Sequence, residues 1–415
     1  MATKVQKIFD FWAVAEKLKD TKRWKAVPQM KQKETSADHS WQLSALVFVA
    51  IKELELKVDE LKSLKIALVH DVVEAIADDV DCVLIHTGVV SQADKNKREE
   101  EAIKKVLKIL PKKSGKEVKD LWHEYEDKVS PEAKLVYALD KMESISHLVF
   151  MGHDSFHEHD DYMATFCHGP VENFPGLRPF HYVLQKKLKI EYKKHGWQWN
   201  KEYNVPSVPR DDLNKASKIL KFATIGEKLK STRRFLNTPT MEKKESSAEH
   251  SWNLALLSFI AGTEFNFGVD ILKSIKIALF HDIAEAIAGD IDISLIHFGF
   301  VTKEKKQKNE LRAMTKIRKA LGEKSGAEIF NLWQEYENSL TAESKYIKAM
   351  DKIEGINHML FVGHSCFDNT ELVAPHPIKA TRNFPPAIPL LRELHERLKP
   401  EYEKCNWAWK EEYSI

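Results

Sequence analysis

The sequence predicts an all-α chain made of two tandem copies of one helical bundle, and three observations carry this. His39, His70-Asp71 and Asp140 return as His250, His281-Asp282 and Asp351, each displaced by 211 positions. One displacement for all four residues means that no gap opens between them. Apolar residues recur at helical intervals, as in Leu61, Leu64, Leu68, Val72 and Ala75, and no stretch sustains the alternation of a half-buried strand. A length of 415 residues exceeds one ordinary core and suits two domains of about 200 residues.

The elements follow in order. The repeat opens near Lys4, which matches Lys215. The stretch MATKVQKIFDFWAVAEKLKD reads as an amphipathic helix of the fold rather than a secretion signal, because KASKILKFATIGEKLKS repeats it internally. Thr35-Ser-Ala-Asp38 and Ser246-Ser-Ala-Glu249 have the form of capping boxes, which puts His39 and His250 in the first turns of their helices. Asp59 is placed to cap the next helix. On its continuation, His70 and Glu74 would share one face with Asp71 beside them. Gly289 is expected to stop the equivalent second-copy helix with positive φ, and Asp78 stands in its place in the first copy. Ser130-Pro131 reads as the N-cap and first residue of the helix that carries Asp140.

Beyond Gly152-His153 the displacement falls to 210, pairing Asn173-Phe174 with Asn383-Phe384 and Trp197-Gln-Trp199 with Trp407-Ala-Trp409. Each Trp-x-Trp is expected to pack on its own domain. The recurring His147/His358 and His153/His364 read as core residues, and the histidine-rich HDSFHEHDDY as a solvated loop. Asn204-Val-Pro-Ser-Val-Pro-Arg210 is the linker, stiffened by its two prolines. The domains are therefore placed at 1–205 and 206–415, packed as an intramolecular pseudo-dimer with approximate twofold symmetry. Further self-association is left open.

Composition narrows the function. With 64 basic and 62 acidic residues the formal charge is +2, so no strong field points to nucleic acid as partner. Cys82, Cys167, Cys366 and Cys405 do not follow the repeat, and reduced thiols in a cytoplasmic protein are expected. No run of 18 apolar residues occurs, so no membrane span is expected.

Two histidines and two aspartates form a mixed nitrogen and oxygen donor set. Such a set suits a catalytic divalent cation with open positions, whereas closed structural zinc sites usually use thiolates. A single His-Asp pair is weak evidence for metal. A four-part set kept in both copies, together with Glu74/Glu285 and Asp79/Asp290, is strong evidence, because surrounding positions have drifted.

These motifs resemble the HD-domain phosphohydrolases, and in particular the 5′-deoxynucleotidase branch. The carrying stretches are Arg23-Trp24, ETSADHSW, ALVHDVVEAIADDVD, LWHEYE and YALDKMES. The second copy has Arg234-Phe235, ESSAEHSW, ALFHDIAEAIAGDID, LWQEYE and KAMDKIEG. The resemblance implies one divalent ion per domain (manganese, cobalt or magnesium). His39, His70, Asp71 and Asp140 would hold the first, and His250, His281, Asp282 and Asp351 the second. It implies that Glu74 and Glu285 position the attacking water, and that Asp79 and Asp290 assist proton transfer or hold the sugar. Arg23 and Arg234 would bind phosphate. Trp24 would crowd the ribose 2′ position, with its bulk and indole donor, where the second copy has Phe235. The activity implied is removal of the 5′-phosphate from (deoxy)nucleoside monophosphates. Deoxynucleoside triphosphate triphosphohydrolases and a non-enzymatic nucleotide-sensing module are the alternatives. Di-iron oxygenases of this superfamily need two further histidines, and only His86/His297 is shared by both copies. Alarmone hydrolases need an acidic pair where this chain has Glu74-Ala75 and Glu285-Ala286.

Overall fold

The computed structural model describes residues 2–413. The first copy contains α1 (Lys4–Ala15), α2 (Ser36–Leu54), α3 (Glu60–Val69), α4 (Glu74–Ala77), α5 (Cys82–His86), α6 (Gln92–Ile109), α7 (Lys112–Asp127), α8 (Pro131–Met151), α9 (His168–Asn173) and α10 (Arg178–His195). The second contains α11 (Arg210–Ser231), α12 (Ser247–Phe265), α13 (Ile271–Phe280), α14 (Glu285–Ala288), α15 (Ile293–His297), α16 (Lys303–Leu321), α17 (Ser325–Asn338), α18 (Ala342–Val362), α19 (Ile378–Arg382) and α20 (Ile388–Lys404). Each helix thus has its counterpart ten labels later. Among the described residues the only β pairing is one isolated bridge per copy, Lys22 with Thr35 and Arg233 with Ser246.

Local chemistry sets the helix ends. Thr35 and Ser246 accept from the amides of Asp38 and Glu249, and the acids return the bond to complete both capping boxes. Asp59 and Asp270 cap α3 and α13, and Ser130 with Pro131 opens α8. Helices α2 and α12 are buried nearly all round, as helices at the centre of a core must be.

The structure corrects the continuous helix expected from Asp59 through Glu74. Helix α3 ends at Val69, and the chain turns before α4. The amides of Val72 and Glu74 bond three residues back, to Val69 and Asp71. This tightening lets the neighbours His70 and Asp71 aim at one point. On a regular helix they would diverge by about 100°. The stops read from sequence are present, since φ is +66° at Asp78 and +75° at Gly289.

The two copies interlock. Helix α11 packs on α2, α8 and α10 of the first copy, while α1 packs on α12 and α20 of the second. Helices α2 and α12 meet at the centre. The Trp41 indole donates to the Leu279 carbonyl at 3.0 Å, and Trp252 donates to Leu68 at 3.2 Å. Thr35 donates to Glu249 at 2.7 Å, and Ser246 to Asp38 at 2.6 Å. Each pair is the other shifted by one repeat, which is the signature of a twofold arrangement.

Trp197 and Trp199 pack on Tyr192, and Trp407 and Trp409 on Tyr402, each within its own copy. His147 and His358 are buried, whereas the core placement of His153 and His364 is not observed. Those two lie partly exposed in the turns after α8 and α18, against Glu191 and Glu401. A glycine with positive φ, Gly152 or Gly363, ends each helix before them and swings the chain outward. In the histidine-rich stretch Phe156 and Asp160 are buried, while Glu158 and His159 are exposed. The four cysteines are unpaired. No helix among the described residues is long and apolar enough to cross a membrane.

Candidate metal centres

Four residues from three segments converge on each centre. In the first copy His39 comes from the opening turn of α2, His70 and Asp71 from the break between α3 and α4, and Asp140 from the middle of α8. His39 Nε2 lies 3.2 Å from Asp140 Oδ1 and 3.8 Å from Asp71 Oδ2, while His70 Nε2 lies 3.1 Å from Asp71 Oδ2. In the second copy His250 Nε2 lies 3.2 Å from Asp351 and 3.9 Å from Asp282, with His281 Nε2 3.2 Å from Asp282.

The residues fit a cation. His70 Nδ1 bonds to the Ala67 carbonyl at 2.8 Å, and His39 Nδ1 to Glu143 at 2.6 Å. His281 and His250 repeat these bonds with Ala278 and Glu354. Each Nδ1 is thus committed as a donor, which fixes the tautomer and leaves the Nε2 lone pair for a metal. All four Nε2 atoms are buried and have no hydrogen-bond partner. Buried polar atoms are normally satisfied, so two orphans converging in each copy mark a ligand site. Without a cation, burial and Arg23 oppose protonation of His39, but Glu143 and Asp140 hold its pKa up at about 10. A metal at Nε2 would displace that proton. Against burial, Lys141 and His39 hold Asp140 well below the usual carboxylate range, and Lys352 and His250 do the same for Asp351.

The groups expected to act on substrate share these cavities. Arg23 and Trp24 sit in the loop between α1 and α2. The Arg23 amide donates to the Glu34 carbonyl at 3.0 Å, and Arg234 to Glu245 likewise. Arg23 Nη1 lies 3.5 Å from Asp71, and its Nη2 donates to Ser144 at 3.2 Å. Trp24 is 5% exposed. Its indole donates to Glu34 at 3.2 Å, so it faces the cavity as an apolar wall and not as a donor. Ser36 and Ser247 donate to Glu74 and Glu285 at 2.6 and 2.7 Å. Burial, reinforced by Asp71 and Asp79, lifts the Glu74 carboxyl well above its usual range; Asp282 and Asp290 act alike on Glu285. Burial raises Asp79 to about 6 against the pull of Arg23, and raises Asp290 too. The first cavity has a volume of about 640 Å³ and the second about 210 Å³.

The HD domain family matches residues 15–175 and 226–370, once per copy. This chain belongs to the HD domain family. The zebrafish (Danio rerio) 5′-deoxynucleotidase HDDC2 is 37% identical over 116 residues, 28% of this chain and 54% of that protein. The Dictyostelium discoideum protein of the same name is 35% identical over 147 residues, 34% of this chain and 75% of that protein. The chain thus spans about half the length of the vertebrate relatives it matches. A solved Magnetospirillum magnetotacticum protein described as a predicted metal-dependent phosphohydrolase is 22% identical with a TM-score of 0.41, covering 49% of this chain and 100% of that one.

The structure brings together every expected site residue of this HD protein, and adds others. Glu143/Glu354 orient the first histidine of each set. Tyr125/Tyr336 donate to the Asp140/Asp351 carboxylates. Glu34/Glu245 brace the arginines. All of them lie inside the repeated motifs, identical in both copies, and that identity was the signal available. His86 stacks on Tyr162 at 4.1 Å. The cavities differ in their walls: Tyr162 and Phe166 line the first where Leu372 and His376 line the second.

Proposed function

We propose that each copy, 1–205 and 206–415, carries a metal-dependent phosphohydrolase site. Each would remove the 5′-phosphate from (deoxy)nucleoside monophosphates. One observation supports this above the others: in each copy two orphan imidazole Nε2 atoms converge on the same aspartates, and one of them, that of His70 or His281, opens on a cavity shared with an arginine guanidinium. A metal donor set beside a fixed cation suits a phosphate ester.

His39, His70, Asp71 and Asp140 would hold one divalent ion, and His250, His281, Asp282 and Asp351 the other. Manganese, cobalt or magnesium bound there lowers the pKa of water and neutralises phosphate oxygens. Arg23 and Arg234 hold the phosphate against that face of the cavity. Ser36 and Ser247 fix one oxygen of Glu74 and Glu285, leaving the other to orient water. Asp79, with its pKa near 6, and Asp290 would serve as proton donors to the leaving 5′ oxygen. The names of the curated relatives agree with this chemistry.

The test is a screen of nucleoside mono-, di- and triphosphates with each of the three metals. Orthophosphate release from monophosphates is expected. The Glu74→Ala/Glu285→Ala double variant should keep its metal and lose about a hundredfold or more in kcat. Release of triphosphate from deoxynucleoside triphosphates would favour the triphosphohydrolase reading. No release from any nucleotide would overturn the enzymatic reading.

A further inference from the structure

We propose that each metal centre is completed by a lysine from the other copy. Lys230 positions the first centre and Lys19 the second. The proposal rests on the metal-site reading above and concerns residues that touch no expected ligand.

The last turn of α11 carries Lys230 into the first copy, where it is fully buried. Its Nζ lies 2.5 Å from Glu34 Oε2, 3.1 Å from Glu143 Oε1 and 2.8 Å from Glu227 Oε1. The other oxygens of the first two carboxylates face the site. Glu143 Oε2 holds His39 Nδ1 at 2.6 Å. Glu34 Oε1 takes the Trp24 indole at 3.2 Å and lies 3.3 Å from Arg23 Nε. One ammonium therefore braces both a metal-ligand histidine and the phosphate-side arginine, each through a carboxylate gripped at both ends.

The second copy repeats the device from the turn after α1. Lys19 Nζ lies 2.9 Å from Glu354 Oε1, 2.5 Å from Glu245 Oε2 and 2.9 Å from Glu16 Oε1. Glu354 Oε2 holds His250 Nδ1, and Glu245 Oε1 braces Arg234. Both lysines cross in the same sense, each reaching buried carboxylates of the other copy.

Charge makes the brace necessary. Glu143 and Glu34 are 0% and 1% exposed. A buried carboxylate needs a cation and full hydrogen bonding. Among the described residues, the ionic partners of Glu143 are His39 and Lys230. Without Lys230, Glu143 would have only the metal-ligand imidazole to hold it. A carboxylate that can rotate no longer fixes the ring, and outer-shell losses of this kind cost metal affinity by about tenfold to a hundredfold.

The experiment uses the full chain with one site silenced. Asp282→Ala leaves the first site and Asp71→Ala the second. Free Mn²⁺ is followed by electron paramagnetic resonance during titration. Lys230→Met is combined with Glu227→Gln, so that the buried cluster loses one positive and one negative charge together. Lys19→Met with Glu16→Gln is its counterpart. In the Asp282→Ala chain, the Lys230 pair should weaken Mn²⁺ binding by about tenfold or more. The Lys19 pair should leave it within about twofold. In the Asp71→Ala chain the pattern should reverse. Lys230→Arg, which keeps the charge and the fold, should recover most of the affinity in the first background. Equal losses in both backgrounds, losses confined to the copy that carries the substituted lysine, or no loss would each overturn the lysine assignment alone. A background chain that binds no Mn²⁺ would overturn the metal-site reading, and the assignment with it.

Discussion

Trp24 and Phe235 hold φ of +61° and +58°, a region that bulky side chains rarely enter. Such backbone costs about 1–3 kcal/mol and persists only where its surroundings fix it. Here the flanking bridge and the Arg23 and Arg234 amide bonds fix it. The two rings sit in equivalent places, but the Trp24 indole is larger and locked by Glu34. We expect the first site to discriminate against ribonucleotides more strongly than the second, by about 1–3 kcal/mol, or roughly tenfold to two-hundredfold. Glu285→Ala isolates the first site and Glu74→Ala the second. Equal ratios of kcat/KM for deoxy and ribo monophosphates in the two variants would refute this. Metal binding gives a second residue-scale prediction. Two ions should bind per chain, one each after Asp71→Ala or Asp282→Ala, and none in the double variant. Unchanged stoichiometry in the double variant by elemental analysis would remove the ligand assignment. The ligands were legible in sequence because duplication displays them twice. Glu143 recurs too, as Glu354, but its role could not be read from that recurrence, since a glutamate three residues after a ligand on a helix looks like any solvated acid until its burial is known.

At the scale of elements, the break between α3 and α4 was the feature least legible in sequence. The apolar spacing from Leu61 to Ala75 is helical, and nothing in His70-Asp71-Val72-Val73 forbids a helix. The turn is set by tertiary demand, because both His70 and Asp71 must face one centre. The capping boxes, by contrast, are local chemistry and could be read directly. Helix α10 supplies a pH prediction. His181 is 5% exposed, and its Nε2 has no hydrogen-bond partner. Burial and the neighbouring His168 push its pKa down to about 4. The unfolded chain takes up this proton near pH 6.5 and the folded chain does not, so stability present above that pH is lost as pH falls toward 4. The loss is about 1.4 kcal/mol per unit within that window. His181→Phe should match wild type in Tm at pH 7.5 and exceed it at pH 5. A constant difference in Tm at both values would show that His181 does not titrate in this way.

At the scale of the molecule, the crossed helices α1 and α11 make the two copies one mechanical body. We expect metal-free chain to unfold in a single calorimetric transition, with calorimetric and van't Hoff enthalpies in agreement. Two separable transitions would show that the interlock carries little energy. The duplication and the packing of its two copies on one another were legible, since they need only pattern. The exchange of α1 and α11 was not, because an amphipathic helix reads the same whichever copy receives its apolar face.

The exchange also bears on how such a gene can change. A fused pair is usually free to vary one half while the other is kept. Here each half holds the cation that its neighbour's buried acids require. Excising one copy would strand Glu34 and Glu143, or Glu245 and Glu354, unless two excised copies met and traded lysines again. Recombination that replaces the second half alone would rewrite the surroundings of the first centre. The inheritable unit of either site is therefore a pair of distant stretches, and position 230 should vary together with 34 and 143 rather than with its own neighbours.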